Sequence, residues 1–169
     1  KGATYMLNLD NYKEAREVLR NIITETSLIP SVHFSKITKN NIYLKPENMQ
    51  VTGAYKIRGA YYKVSKLSKE QRSAGLITAS AGNHAQGLAY ASQVKKVKTT
   101  IVMPTTTPLT KVNSTKDYGA NVILYGDCYD DSYNYAINLS AEKQYTFIHP
   151  FNDLDIATGQ GTIAYEIFK

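Results

Sequence analysis

The 169-residue sequence contains no tryptophan and a single cysteine, Cys128. One cysteine excludes an internal disulfide framework and a zinc site built from several thiolates. The three histidines, His33, His84 and His149, show no short metal-ligand spacing, so no metal site is predicted. No apolar run approaches the roughly 20 residues that a membrane-spanning helix needs, and the first residues lack the apolar segment of a signal peptide. These absences favour a cytoplasmic globular protein without a metal ion.

The excess of positive over negative charge is also small. The sequence has 20 Lys and Arg residues and 14 Asp and Glu residues, which gives a formal net charge of +6. The lysines are scattered, and the densest group, at 95, 96 and 98, is too short for a nucleic-acid-binding arm. With 43% apolar and 20% charged residues, the composition is that of a folded domain. We therefore expect a small-molecule partner rather than a nucleic acid or a membrane.

The first part of the chain predicts mainly helices. Apolar residues at helical spacing predict an amphipathic helix over 11–23, and the proline and serines of 26–35 predict a loop. A short strand is predicted at 42–44 and a helix at 56–67. The sequence SKEQ, which begins at Ser68, matches a Ser-x-x-Gln capping box and therefore predicts another short helix.

From Gly75 onward, four short apolar runs alternate with helical segments. The runs are GLITAS, TTIVMP, NVILYG and YTFIHP. Such alternation predicts βαβ units, and hence an α/β fold in which an open parallel sheet carries helices on both faces. The final helix reaches Lys169 without a Gly, Asn or Pro to end it, which predicts a truncated fragment. We expect a piece of a large domain over 1–43, a small α/β domain over 44–145, and the start of the remaining large domain over 146–169.

The sequence SAGNHAQG, at 80–87, follows the first of the four runs. In an open parallel sheet, ligands bind beyond the carboxyl ends of the strands, where helix N–H groups favour an anion such as a carboxylate. Gly82 permits the sharp turn, while Ser80 and Asn83 supply hydrogen bonds. The alternative is an ordinary helix cap with His84 on the surface. Because these residue types occur together, a binding site is the preferred interpretation.

Lys56 stands between Tyr55 and Ile57, at the predicted start of a helix. The helix dipole disfavours a cation at that end, so its field favours the neutral amine. A neutral lysine amine is the form that attacks carbonyl groups. A solvated surface lysine is the alternative. The position makes Lys56 a candidate for amine chemistry.

These two motifs together resemble a known family. The stretch TGAYKIRGA, at 52–60, resembles the Ser-Phe-Lys-x-Arg-Gly-Ala motif of the fold type II pyridoxal-phosphate enzymes, which share the tryptophan-synthase-β-like fold, and SAGNHAQG resembles their asparagine loop. The likeness continues through MPTTTPLTKVNSTKDYGANVILYGDCYDDS and FIHPFND…ATGQGTIAYEI. It is greatest to the threonine and serine dehydratases.

The resemblance implies pyridoxal 5'-phosphate as the cofactor, with Lys56 both as the Schiff-base lysine and as the base that takes the substrate α-proton. It implies further cofactor contacts from Asn83 and from Tyr55, where the family usually has phenylalanine. The implied site for the substrate carboxylate comprises Ser80, Ala81, Gly82, Asn83 and His84.

The implied reaction is the deaminating dehydration of L-threonine to 2-oxobutanoate and ammonia, and of L-serine to pyruvate and ammonia. The resemblance also implies a role in amino-acid metabolism, such as isoleucine biosynthesis, and a homo-oligomeric parent protein.

The chain departs from the family pattern at several points. Ala54 replaces a serine, and Ala81 lies where related racemases carry a serine that serves the opposite face of the α-carbon. The second change favours a dehydratase over a serine racemase. The glycine-rich loop that grips the cofactor phosphate is missing, because GQGT at 159–162 is not that loop. We therefore expect an inactive fragment, and whether it binds the cofactor at all stays open.

The sequence leaves three alternatives open. Two lie within the family: a serine dehydratase or serine racemase, and another enzyme that catalyses β-elimination or β-replacement. Outside it, the alternative is a non-catalytic α/β module that binds an anion.

Overall fold

The computed structural model describes residues 7–169. Its α-helices are α1 (Leu9–Leu19), α2 (Val32–Thr38), α3 (Lys56–Lys66), α4 (Lys69–Ala74), α5 (Asn83–Lys95), α6 (Leu109–Asp117), α7 (Tyr129–Lys143) and α8 (Leu154–Ile167). Its strands are β1 (Ile29–Pro30), β2 (Tyr43–Leu44), β3 (Leu76–Ala79), β4 (Thr99–Met103), β5 (Asn121–Leu124) and β6 (Thr146–Phe147). A 3₁₀ turn covers Glu47–Met49.

The central sheet consists of β3 to β6, all parallel, in the spatial order β5-β4-β3-β6. Strand β3 lies between β4 and β6: Leu76 pairs with Thr99 on one side and with Thr146 on the other. Every residue of β3 and β4 is buried. The predicted α/β fold with an open parallel sheet is thus confirmed.

Successive side chains of a strand point to opposite faces, and β4 shows how this covers the sheet on both sides. Ile101 and Met103 pack in one cluster with Ala85 of α5 and Val112 of α6. Val102 packs on the other face with Ala136 of α7. Helices therefore cover both faces, as the sequence predicted.

A further cluster lies beyond α5, where α3 packs against α5 and α8. It contains Leu19 of α1, Val64 of α3, Leu88 of α5 and Ile156 of α8. Helix α3 is therefore buried on several sides. Its first residue, Lys56, lies near the carboxyl ends of the sheet strands.

The structure corrects the predicted elements at the start of the chain. Helix α1 begins at Leu9 rather than at residue 11, because the Asn8 side chain accepts hydrogen bonds from the next turn. The prediction of a loop over 26–35 is wrong in part, since this stretch holds β1 and the start of α2, which Ser31 caps. The capping box at Ser68 is confirmed. None of the helices within residues 7–169 is both long and apolar enough to cross a membrane.

Candidate active site

Two chain segments leave the sheet side by side at the carboxyl edge of β3 and β6. These strands are parallel neighbours, so residues 80–83 and 148–153 emerge at the same rim. The Ile148 N–H donates to the Ile77 carbonyl at 2.8 Å. The Thr78 hydroxyl donates to the Ile148 carbonyl at 2.7 Å. Both bonds fix the start of the second segment against β3.

Lys56 reaches this rim from α3, of which it is the first residue. Its Nζ lies 3.4 Å from the Pro150 carbonyl oxygen and 5.5 Å from the centre of the Tyr55 ring. Gly87 of α5 lies close to the start of α3, because a Cβ there would lie only 3.2 Å from the Lys56 carbonyl carbon. The half-buried Lys56 amine is thus held beside the segment that follows β6, and the Tyr55 ring, 40% exposed, flanks it on the outside.

The turn between β3 and α5 is held by Ser80. Its Oγ accepts the Gly82 N–H at 3.4 Å and the Ala85 N–H at 3.3 Å. Ala81 and Gly82 are half-buried, whereas the Asn83 side chain is exposed. Within residues 7–169, the backbone N–H groups of Asn83 and His84 find no acceptor. The N-terminus of the 13-residue helix α5 therefore offers two free donors, as a carboxylate-binding site requires.

His84 is only 4% exposed, so the alternative that placed it on the surface is wrong. Burial lowers its pKa to about 3, with a further contribution from the positive charge of Lys56. Its ring is consequently neutral, and neither ring nitrogen has a hydrogen-bond partner among the described residues. Since buried polar groups are normally paired, this imidazole has bonding capacity to offer a bound molecule.

The structure therefore brings several of the predicted site residues into one place. Lys56 and His84 are close enough to affect each other electrostatically, and the turn at Ser80 leads directly into His84. The sequence did not mark His149 and Pro150 as site residues. Their motif, FIHPFND, was visible, but only the order of the strands shows that it meets Lys56.

A buried ion cluster, also missed from the sequence, lies two residues beyond Lys56. Arg58 has no exposed surface, and its guanidinium donates to Glu47 at 2.8 Å and to Glu166 at 2.6 Å. Burial opposes its charge, but hydrogen bonds to the two carboxylates outweigh that effect and raise the pKa of Arg58. Lys45 also pairs with Glu166. This cluster fixes the first turn of α3, and with it Lys56, against α8.

The residues present fit the cofactor and the substrate that the resemblance implied. An aldehyde cofactor needs an amine, which Lys56 supplies, and an amino-acid carboxylate needs N–H donors, which the start of α5 supplies. The unpaired His84 nitrogens leave further polar contacts available. Within residues 7–169, no group of three or more His, Cys, Asp or Glu side chains is arranged to hold a metal ion.

The chain is similar to known proteins in sequence and in fold. The model of the family described as pyridoxal-phosphate dependent enzyme matches residues 19–169. An L-threonine ammonia-lyase of Thermotoga maritima is 46% identical over 164 residues, which cover 97% of this chain and 41% of that protein.

Two solved structures are also similar. The processed form of threonine deaminase isoform 2 from Solanum lycopersicum is 37% identical, with a TM-score of 0.86 over 95% of this chain and 48% of that one. Maize serine racemase is 30% identical, with a TM-score of 0.91 over 97% of this chain and 50% of that one. The chain thus spans half or less of the length of these relatives. Both the matched family model and the fold confirm the resemblance of the motifs: the chain belongs to the pyridoxal-phosphate dependent enzyme family.

Proposed function

We propose that the complete protein carrying this chain is a pyridoxal-phosphate dependent L-threonine ammonia-lyase that also accepts L-serine. The observation that carries this proposal is the 46% identity to an L-threonine ammonia-lyase over 97% of the chain. The reaction removes the α-proton and the β-hydroxyl of threonine as water. A second water then releases ammonia and leaves 2-oxobutanoate, so the atoms balance.

Lys56 carries out the proton chemistry in this proposal. Pyridoxal phosphate, when bound, supplies the electron sink that makes the α-proton of an amino acid removable. Lys56 would hold the cofactor through its aldehyde group, and its Nζ would receive the α-proton of the substrate. Its half-buried position beside Pro150 keeps the amine at the rim where a substrate on α5 would lie.

The start of α5 orients the substrate. The free N–H groups of Asn83 and His84 bind the substrate carboxylate, and the Ser80 hydroxyl keeps the turn in the geometry that presents them. The exposed Asn83 amide would contact the ring hydroxyl of the cofactor, and Tyr55, next to Lys56, would pack beside it. The neutral, unpaired His84 ring contributes a hydrogen bond without adding a charge that would compete with Lys56.

A serine racemase is the second candidate, favoured by the high structural similarity to the maize enzyme of that name. Removing and returning a proton on opposite faces of the α-carbon requires two groups. Lys56 is one, but Ala81 has no hydroxyl with which to be the other. We therefore prefer elimination over racemisation.

We further propose that the 169-residue chain alone does not turn over threonine. It covers 41% of the Thermotoga maritima relative, so more than half of that enzyme has no counterpart here. In the complete protein we expect a homo-oligomer in the cytoplasm. Light scattering on the complete protein tests the assembly, and clear formation of 2-oxobutanoate by the 169-residue chain would overturn its proposed inactivity.

Substrate choice is tested on the complete protein with L-threonine, L-serine and O-acetyl-L-serine side by side. We expect 2-oxobutanoate from threonine to form fastest. Lys56→Ala should reduce kcat by about a thousandfold or more, as loss of a covalent catalyst does. Lys66→Ala, on the exposed end of the same helix, is the control and should keep full activity. Retained activity in Lys56→Ala would disprove the assigned role.

Cofactor attachment is tested on the 169-residue chain itself. Pyridoxal phosphate is added, the adduct is reduced with borohydride, and the labelled peptide is identified by mass spectrometry. Label on Lys56 alone supports the proposed site. Label spread evenly over surface lysines such as Lys66 would show that this chain lacks a selective site.

The remaining candidate is a module that binds an anion without catalysis. Binding of threonine to the complete protein, measured by calorimetry, separates the two functions. Unchanged binding and no product in both wild type and Lys56→Ala would favour the module. Product formation that disappears with Lys56 favours the enzyme.

A further inference from the structure

The segment that presents a carbonyl group to Lys56 is anchored at both ends. At its start, the Ile148 N–H donates to β3 at 2.8 Å. At its end, the Asp153 carboxylate caps α8 by accepting the Asp155 and Ile156 N–H groups, and it pairs with Lys63 at 2.8 Å. The four residues between these anchors, 149–152, form the turn that contains Pro150.

The His149 ring holds this turn together. Its Nδ1 accepts the Phe151 N–H at 3.3 Å and the Asn152 N–H at 2.9 Å. These are the hydrogen bonds that the two amides make within residues 7–169. The ring also packs against three aromatic side chains, with centroid distances of 4.7 Å to Phe151, 6.1 Å to Tyr133 and 6.4 Å to Phe147. Its position is therefore fixed from several sides.

The hydrogen bonds define the protonation state of this ring. A nitrogen that accepts carries no proton, so the neutral ring of His149 has its proton on Nε2. A second proton, on Nδ1, would turn the acceptor into a donor and remove both bonds to the turn. Protonation of this ring would therefore release the turn.

Other charged and titratable groups surround the ring from four helices. They are Lys56 of α3, His84 of α5, Tyr133 of α7 and the α8 cap Asp153. A positive charge on His149 would be repelled by Lys56 and attracted by Asp153. These electrostatic interactions therefore do not determine whether protonation of His149 loosens the turn. The loss of the two hydrogen bonds at Nδ1 does.

We propose that His149 is a positioning residue for Lys56. The neutral ring holds the 149–152 turn so that the Pro150 carbonyl meets the Lys56 amine at 3.4 Å, and protonation of Nδ1 releases the turn. The proline ring fixes φ at residue 150, so the turn determines where that carbonyl points. The inference rests on the proposed function only in giving Lys56 a cofactor to react with.

The first test needs no cofactor. NMR of the 169-residue chain, labelled with ¹⁵N, reports the protonation of both His149 nitrogens and the exchange of the Phe151 and Asn152 amides. We expect an unprotonated Nδ1 at pH 8. After correction for intrinsic exchange rates, amide protection should fall about fivefold, the worth of one ordinary hydrogen bond, as His149 becomes protonated. A proton on Nδ1 in the neutral ring, or protection that ignores the titration, would overturn the proposal.

Two variants separate the hydrogen-bond acceptor from the ring. His149→Asn keeps a side-chain oxygen that can accept from the following amides and cannot titrate, whereas His149→Phe keeps the aromatic packing without an acceptor. At pH 8, the label that pyridoxal phosphate and borohydride leave on Lys56 is compared with that on Lys66. We expect the ratio of label on Lys56 to label on Lys66 to be the same in His149→Asn as in wild type. In His149→Phe we expect this ratio to be about fivefold lower. Equal ratios in all three proteins would refute the inference.

Failure of the proposed function would look different. In that case wild type shows no preferential label on Lys56, while the amide protection still follows His149. Circular dichroism and urea unfolding check that His149→Phe is folded. If His149→Phe is not folded, the comparison of wild type with His149→Asn decides. Amide protection that depends on pH in wild type but not in His149→Asn sustains the proposal. The same pH dependence in both proteins overturns it.

Discussion

Gly59 of α3 and Gly159 of α8 face each other in direct backbone contact. A Cβ built at Gly159 would lie 2.6 Å from the Gly59 Cα and 2.6 Å from the Arg58 carbonyl oxygen. The helix that begins with Lys56 is thus pressed against α8 at a distance that only glycine permits.

Gly159→Ala should therefore destabilise the chain. The gain in helix propensity is about 1 kcal/mol, but the overlap with rigid backbone should cost more, for a net loss of about 2 kcal/mol in the free energy of unfolding. Gly161→Ala is the matched control, two residues along α8. Its Cβ would meet the ring of Tyr12, a side chain that can turn away, so we expect a smaller loss. Equal losses in urea unfolding would contradict the backbone argument.

Removing one carboxylate from the buried ion cluster should have a large effect. Glu166→Gln leaves Arg58, which has no exposed surface, with Glu47 as its remaining anion. We expect a loss of about 3 kcal/mol in urea unfolding, as is typical when a buried pair is broken. Glu14→Gln, which breaks an exposed pair with Lys66, is the control and should cost no more than about 0.5 kcal/mol. Similar losses for both would mean that burial does not matter here.

The lowered pKa of His84 makes stability depend on pH. Its value is about 3 in the folded chain, against 6.5 for the free side chain. Below pH 6.5 the unfolded state binds a proton that the folded state excludes, so stability is complete above pH 6.5 and falls as the pH drops toward 3. Between pH 7 and 5 the expected loss is about 2 kcal/mol.

Urea unfolding at the two pH values measures this loss. His84→Gln should remove most of the difference, because glutamine does not titrate. His33→Gln, at an exposed position, should leave it unchanged. The same pH dependence in wild type and His84→Gln would show that another group is responsible.

Ala81→Ser tests why elimination is preferred over racemisation. In the complete protein the new hydroxyl would lie in the turn next to Gly82, at the position where the resemblance implies a serine in racemases. We expect D-serine to appear from L-serine, measured by chiral chromatography, while elimination continues. Ala54→Ser, at the other position where the resemblance implies a serine, should produce no D-serine. Equal amounts of D-serine from the two variants would show that position 81 has no special role.

The sequence predicted the sheet well because its signals are local. Buried strands such as β3 and β4 are short apolar runs, and the helices between them have clear beginnings. The helix α2 was missed because Val32, Phe34 and Ile37 are all exposed, so no buried face marks it. The burial of His84 was also missed, because it depends on how closely α5 meets α3 at Gly87.

The ion cluster and the His149 turn could not be predicted for a different reason. Arg58 finds Glu166 across 108 residues of sequence, and Lys56 finds Pro150 across 94. No local pattern records such a partner. The division at residues 43 and 145 stays a prediction, and the contact between Gly59 and Gly159 joins the second and third of the predicted parts.

The position of β6 bears on how the chain folds during its synthesis. Thr78 of β3 and its partner Ile148 are 70 residues apart, while β4 is available much sooner. Until residue 147 has left the ribosome, one edge of β3, including Leu76 and Ile77, has no partner strand. An unpaired apolar edge is a place where nascent chains associate with one another. We therefore expect the growing chain to need protection by a chaperone just before it becomes able to complete its sheet.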